Sequence, residues 1–230
     1  MSGRFEHFEF EGAPRKALFG MQLLDAVTLA TVSYGIKVTA HGLRGKPVTN
    51  SSGLFVWLDE DLSRLEKVTI EPQALPYEDQ ELTPAELVLP PQPPPLMPLT
   101  TVELMPRADY AFAGGVTGVR GSLVEDFFDS PLVPVAGAGI VLQWLDDNGV
   151  WHKAKPSSRS GTKGGFVAIL RLAPSDVPHI NASGALTLRV LVKREGRNDR
   201  HTPDLSVPQG RVADPSTLSA LRLAWDELEL

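Results

Sequence analysis

The residue types that most often carry out chemistry are present in this 230-residue chain, but they are dispersed along it. No pair of histidines has the spacing at which one helix or strand presents two metal ligands. The chain contains no cysteine, which excludes a thiolate metal site, a cysteine nucleophile and a disulfide framework. We therefore predict no metal and no cofactor. The histidines are His7, His41, His152, His179 and His201.

Acidic and glycine-rich stretches predict turns better than they predict active sites. The segments Asp59-Glu60-Asp61 and Asp146-Asp147-Asn148-Gly149 offer carboxylates without the spacing of a calcium-binding loop. Gly161-Thr162-Lys163-Gly164-Gly165 lacks the Gly-Lys-Thr order of a phosphate-binding loop, and no helix is predicted after it. A Gly-x-Ser-x-Gly nucleophile motif does not occur. The sequence therefore predicts a protein that is not an enzyme.

Tryptophan and basic residues are the remaining candidates for binding. Trp57 and Trp144 lie inside apolar runs and are predicted to be core residues, whereas Trp151 follows a turn signal and could stack on a ligand. A basic region follows Val150, and its residues either form a solvated face or dock on an acidic partner surface. The partner-binding candidates are Lys153, Lys155, Arg159, Lys163, Arg194, Arg197 and Arg200.

The overall charge and hydropathy restrict the choice of partners. The formal net charge of −6, together with basic residues that lack interleaved aromatic residues, argues against nucleic-acid binding. No apolar run approaches the roughly 20 residues that span a bilayer, so membrane insertion is not expected. The N-terminus lacks the pattern of a secretion signal. We expect cytoplasmic synthesis, with the possibility of later incorporation into a particle.

The elements that must position these residues are predicted to be β-strands. Apolar and polar residues alternate with a period of two through most of the chain, and 20 Gly and 20 Pro fit short strands joined by turns. Asp146-Asp147-Asn148-Gly149 between two apolar runs predicts a hairpin. The principal predicted strands are 18–24, 34–40, 54–58, 68–71, 99–104, 115–124, 138–144, 166–172, 185–193 and 218–225.

The chain also repeats itself. Residues 18–25 can be laid over residues 119–126, which places Gly20 on Gly121 and Asp25 on Asp126. A proline-rich segment at residues 90–98 cannot continue a helix or a central strand, and it should act as a semi-rigid spacer. We predict two tandem antiparallel β-sandwich domains in an all-β protein. Their predicted bounds are residues 1–106, which include the proline-rich segment, a linker at 107–114, and residues 115–230.

Short motifs in both halves resemble the carboxypeptidase regulatory-like domain. The second half carries Gly121-Ser122-Leu123-Val124-Glu125-Asp126, Pro134-Val135-Ala136-Gly137-Ala138 and Gly165-Phe166, where that family has its strand, proline-valine-glycine and glycine-aromatic signatures. In the first half Leu29 replaces a glycine that is usual in the family. The resemblance implies a transthyretin-type β-sandwich of about seven strands in each half. It carries no catalytic residue to this chain.

Together these observations predict a structural or adaptor protein that contacts other protein subunits in a multiprotein assembly. The combination of tandem sandwiches, a proline spacer and no recognisable active site is similar to components of phage-tail-like particles such as contractile injection systems. The alternative is an accessory module that binds a carbohydrate or a peptide, with Trp151 as the stacking residue.

Overall fold

The computed structural model describes residues 17–58, 61–89, 98–213 and 221–230. Three sequence predictions therefore lie wholly or partly outside the described residues. They concern the proline-rich segment, the acidic run that begins at Asp59, and the start of the last predicted strand.

The described residues form β-strands and single 3-10 turns, so the predicted all-β fold class is confirmed. In the first half the strands are β1 Ala17–Asp25, β2 Lys37–His41, β3 Val48–Thr49, β4 Phe55–Leu58, β5 Lys67–Glu71, β6 Gln80–Leu82 and β7 Leu99–Leu104. In the second half they are β8 Thr117–Val124, β9 Gly139–Leu145, β10 Trp151–Lys153, β11 Ser158–Arg159, β12 Gly165–Leu170, β13 Ala185–Lys193, β14 Arg200–His201, β15 Leu205–Pro208, β16 Val212–Ala213 and β17 Arg222–Ala224. The 3-10 turns are Leu62–Arg64, Pro84–Glu86 and Trp225–Glu227. Within the described ranges, no helix is long enough to cross a bilayer.

Each half contains two sheets that enclose one hydrophobic core. In the first half the sheets have the orders β3-β4-β1-β7 and β2-β5-β6. Alternate residues of β1, including Phe19, Met21 and Leu23, are fully buried between them. This is the alternation that a strand with one face in a sandwich core must have.

The second half repeats this arrangement with a larger sheet. Its sheets are β12-β8 with β16 and β17 beside β8, and β9-β13 with β10, β11, β14 and β15 at their sides. The core includes Leu123, Phe166 and Trp225, all with exposures of 1% or less. Most pairings in both halves are antiparallel, as predicted. The closing strand of each half is parallel to the first strand, since β7 pairs with β1 and β17 with β8 in that sense.

The repeat extends to the register of individual residues, but it corrects the sequence alignment by one position. Leu23 lies beside Val102 in the first half, and Leu123 lies beside Leu223 in the second. The backbone of Leu23 also accepts a hydrogen bond from Val32, and that of Leu123 accepts one from Val135. Leu23 therefore corresponds to Leu123. With Leu23 matched to Leu123, Asp25 corresponds to Glu125 and not to Asp126. The sequence alignment that placed Gly20 on Gly121 is therefore displaced by one residue from the structural one.

The two cores fill the same space with different side chains. In the first half Phe19 stacks on Trp57 with ring centroids 4.4 Å apart. In the second half the corresponding pair is Val119 and Ala168, which lie opposite each other and are much smaller. Gly121 stands where the first half has Met21, and the ring of Phe166 occupies the freed volume. At these positions the second core therefore uses smaller side chains than the first.

Several local predictions are confirmed and two are adjusted. Asp146 to Gly149 forms the expected hairpin turn, with Gly149 at φ 79°. The second predicted strand begins at Lys37 instead of Tyr34, because Gly35 has a positive φ of 66° and turns the chain. The last strand ends at Ala224, and Trp225 opens a 3-10 turn.

Candidate partner-binding surfaces

Four of the seven predicted basic residues are distributed over three places in the second half. Lys153 and Arg159 are exposed and belong to the sheet built on β9 and β13. Lys163 is exposed in the turn that precedes β12, on the opposite sheet. Lys155 is exposed and pairs through its backbone with Arg171. These four residues therefore do not form one continuous cluster.

Arg194 and Arg200 are engaged within the chain at one end of the sandwich. The Arg194 guanidinium forms a bidentate pair with Glu125, with both N–O distances 2.7 Å. These hydrogen bonds lower the pKa of the Glu125 carboxyl. Arg200 donates to the backbone oxygen of Trp225 over 2.7 Å, and both guanidinium groups lie about 5 Å from the indole. Both arginines therefore hold the end of the chain against the core.

Arg197 differs from its two neighbours because it is exposed. It lines an open depression of about 400 Å³ together with the other end-of-sandwich residues Gly196, Asn198, Arg200, Trp225 and Leu230. The depression combines cationic and apolar surface without a side-chain carboxylate or hydroxyl among these lining residues. It could hold an anionic side chain, and it offers no acid and base pair for catalysis.

Trp151 is half-buried because an arginine covers one of its faces. The guanidinium carbon of Arg189 lies 4.2 Å from the ring centroid, which is a cation–π contact. Nε of Arg189 donates to the side-chain oxygen of Gln143 over 2.7 Å, which fixes the guanidinium in place. A ligand could stack on that face of Trp151 only after displacing Arg189. For Trp151, the stacking residue predicted from the sequence, the opposite face of the ring is the one left for a ligand.

Two histidine–aspartate pairs flank the predicted hairpin. Nε2 of His152 lies 2.9 Å from Asp146, and the imidazole stacks on Trp144 with centroids 4.5 Å apart. Nδ1 of His179 lies 2.9 Å from Asp147. The bond from His152, with backbone N–H groups of the turn, lowers the pKa of Asp146. Across residues 17–58, 61–89, 98–213 and 221–230, no three His, Asp or Glu side chains converge as metal ligands.

A buried carboxylate that sequence reasoning missed lies at the end of β1. Asp25 is 6% exposed, and its Oδ1 accepts hydrogen bonds from the backbone of Val27 and Thr28 over 2.7 and 3.3 Å. Its Oδ2 accepts from the hydroxyls of Tyr77 and Tyr110 over 3.1 and 2.6 Å. Desolvation and the neighbouring carboxylate raise the pKa of Tyr77 to about 12 and also raise that of Tyr110. Asp25 thus joins the first sandwich to the segment that follows β7.

The two halves are in direct contact through a group of residues that we call the seam. Arg171 of the second half forms an ion pair with Glu103 of β7, in which Nη2 of Arg171 lies 2.7 and 2.8 Å from the two carboxylate oxygens. Beside it Ala26 and Met105 pack against Ile169, and all three are buried. Val27, Phe112 and Val116 are partly buried against this group.

The segment predicted to be a linker is packed against the second half. Arg120 of β8 donates to the backbone oxygen of Tyr110 over 2.6 Å and lies 5.4 Å from the ring of Phe112. Tyr110 and Phe112 are themselves in ring contact, with centroids 4.8 Å apart. Residues near the predicted domain boundary thus contribute side chains to the contact between the halves.

Comparisons with known proteins give little beyond this description. No protein-family model matches the chain, and no curated protein matches it. Among solved structures, one match is the shaft pilin SpaA from Lactobacillus rhamnosus GG, as its E269A mutant. The match is 10% identical with a TM-score of 0.25, and it covers 86% of this chain and 96% of the pilin. At that level of similarity the pilin supports no argument about this chain.

Proposed function

We propose that the chain is a non-enzymatic structural or adaptor protein that contacts other protein subunits in a multiprotein assembly. The observation that carries the proposal is the seam, where the Arg171–Glu103 pair and the buried residues Ala26, Met105 and Ile169 hold two sandwiches together. A spacer or adaptor must hold its two binding surfaces in a fixed relation, and a buried contact between domains provides this. A flexible tether would not.

The proposal includes the domain organisation and the domain type. We propose two units, at residues 1–106 and 115–230, joined by residues 107–114. We propose that both are transthyretin-type β-sandwiches of the carboxypeptidase regulatory-like kind. The repeated register of β1 with β7 and β8 with β17 supports a common origin for the two. Synthesis in the cytoplasm and incorporation into a phage-tail-like or contractile injection particle are the most specific form of this proposal.

The alternative of a carbohydrate- or peptide-binding accessory module is less well supported. Its stacking residue would be Trp151, and Arg189 already occupies one face of that indole at 4.2 Å. A free aromatic platform is what sugar stacking requires. We therefore rank this function below the structural one.

Electron microscopy of the tagged protein tests the proposal. The chain would be tagged in its own cell, isolated without detergent or high salt, and imaged. The expected result is a regular particle in which the tag labels a repeated position. Material that contains only dispersed small proteins at every salt concentration would contradict it. The alternative function would instead be supported by specific retention on a glycan or peptide array.

A further inference from the structure

The outer face of the large sheet in the second half brings several basic residues together. Residues directly opposite on paired strands share a face, so the register gives its membership. Gln143 lies between Lys153 and Arg189, and Gly139 lies between Arg159 and Lys193. Val141 and Leu191 lie between these two rows and are only 8% and 7% exposed. We call this set, together with Trp151, the basic face.

The corresponding face of the first half shows what the same sheet looks like when its charges are balanced. There Lys37 bonds to Glu71 over 3.0 Å, and Lys67 bonds to Glu81 over 2.8 Å. Thr39 and Thr69 lie opposite each other at the centre. Each lysine on this first-half face therefore has a carboxylate on the same face, and the centre is polar.

Aligning the repeats shows how the basic face departs from this pattern. The shared turns at Gly35 and Gly137, with φ of 66° and 71°, fix the offset of β2 against β9. With that offset Val141 and Leu191 occupy the positions of Thr39 and Thr69, and Lys193 occupies that of Glu71. The second half has therefore exchanged a polar centre for an apolar one and a carboxylate for an ammonium group.

None of the strand positions of the basic face carries a carboxylate, but Glu229 lies opposite His201, which itself lies opposite Leu191, so one carboxylate stands at the edge of this face. Lys193 lies 3.4 Å from Asp199 of the following loop, and Arg189 bonds to Gln143 and lies near His201. Lys153 is exposed and makes no ion pair within the described part of the chain. Arginine and tryptophan are enriched at protein interfaces, and Arg189 and Trp151 lie together on this face.

We propose that the basic face binds an acidic protein segment, which would place carboxylates against Lys153, Arg159 and Arg189. Charge complementarity selects this occupant. Single-stranded nucleic acid is disfavoured because its bases need free aromatic faces, and Arg189 covers one face of the only tryptophan here. The inference rests on the proposed function, since it names the partner chemistry of an adaptor surface.

The test measures binding of fluorescently labelled poly-L-glutamate to the full chain at low salt. The variant is Lys153→Glu, and the matched control is Lys163→Glu, which changes the net charge equally at an exposed position on the other sheet. We expect the first to weaken binding about fivefold, which corresponds to roughly 1 kcal/mol, and the second less than twofold. Circular dichroism of both variants verifies that they are folded.

Three results would overturn the proposal: no binding of poly-L-glutamate, equal weakening by both variants, or tighter binding of single-stranded DNA with the same dependence on Lys153. Self-association of the free protein that Lys153→Glu abolishes would support it, with a second copy as the acidic partner. Residues 1–106 carry 14 acidic and 8 basic residues, whereas residues 115–230 carry 13 of each.

The failure of this inference is distinguishable from the failure of the proposed function. If both wild type and Lys153→Glu enter a large assembly in their own cell, the assembly stands and the basic face is not its contact. If poly-L-glutamate binding depends on Lys153 but the protein stays free in its cell, the face stands and the structural function fails.

Discussion

At the scale of single residues, Asp25 and Glu125 show one position of the repeat put to two uses. Asp25 is buried and accepts four hydrogen bonds, two of them from tyrosine hydroxyls. Glu125 is partly exposed and pairs with Arg194. In both halves the carboxylate at the end of the first strand anchors a segment that is distant in sequence. Both acids therefore serve packing, and neither is placed for catalysis.

Replacing Asp25 with Asn should destabilise the protein by about 2 kcal/mol, since hydrogen bonds to a buried charged group are the more valuable kind. Asp126→Asn is the matched control, because within the described part of the chain the Asp126 side chain accepts one hydrogen bond, from the backbone N–H of Phe128. It should cost less than about 0.5 kcal/mol. Urea unfolding of both variants measures the difference. Equal losses would show that the network around Asp25 does not stabilise the fold.

The tyrosines around Asp25 make the free energy of unfolding depend on pH in the alkaline range. The pKa of Tyr77 is raised from 10 to about 12 in the folded protein. Its contribution is complete below pH 10 and is lost as pH rises through 12, because the unfolded chain releases the proton first. We expect the free energy of unfolding to fall by up to about 1.4 kcal/mol per pH unit from this group within that window.

Tyr77→Phe isolates the contribution of this hydroxyl. The variant should lose stability at neutral pH and show a shallower decline between pH 10 and 12 than the wild type. Chemical unfolding at a series of pH values measures both. An unchanged slope would mean that Tyr77 does not couple folding to alkaline pH.

At the scale of elements, the strands were predictable and the contacts between them were not. Alternation at Val38 and Ala40 and the Asp-Asn-Gly hairpin are local signals, so they predicted β2 and the turn after β9. The sequence alignment that matched Gly20 to Gly121 was wrong by one residue, because a shared glycine is a weak constraint on the alignment of two strands. The Arg171–Glu103 pair links positions 68 residues apart, and no local pattern encodes it.

Gly121 tests the repeat packing directly. A Cβ there would approach the backbone oxygen of Leu221 to 2.6 Å and the Phe166 ring to 2.8 Å. Gly121→Ala should therefore cost about 2 kcal/mol through overpacking. Gly114→Ala meets no atom within 4 Å and serves as the control. Equal midpoints of thermal unfolding for the two variants would contradict the close packing of the Phe166 ring and the Leu221 backbone against Gly121.

The seam pair can be tested by a double-mutant cycle of Glu103→Arg, Arg171→Glu and the combined swap. Because the pair is charge-assisted and about two thirds buried on both sides, we expect a coupling free energy of about 1 kcal/mol. The exposed Lys37–Glu71 pair is the control and should couple by less than about 0.5 kcal/mol. If the combined swap is no more stable than the single variants, the pair does not join the halves.

At the scale of the whole molecule, two related sandwiches meet at a seam and differ in the charge of their outer sheets. The first sandwich neutralises its outer sheet with Lys–Glu pairs, whereas the second leaves cations around an apolar centre. Such a division suits a subunit that uses one unit as a support and the other as a contact. Composition predicted the fold class, but the location of the contact required the register of the sheets.

The proposal that this chain is a subunit of a multiprotein assembly is tested by measuring the mass of the protein in low-salt, detergent-free extracts of its own cell. The single chain has a mass of 24.9 kDa. We expect native mass measurement to find the chain in a defined complex many times heavier than the single chain, and we expect this complex to dissociate as the salt concentration is raised. A free chain at 24.9 kDa under the gentlest conditions would contradict it.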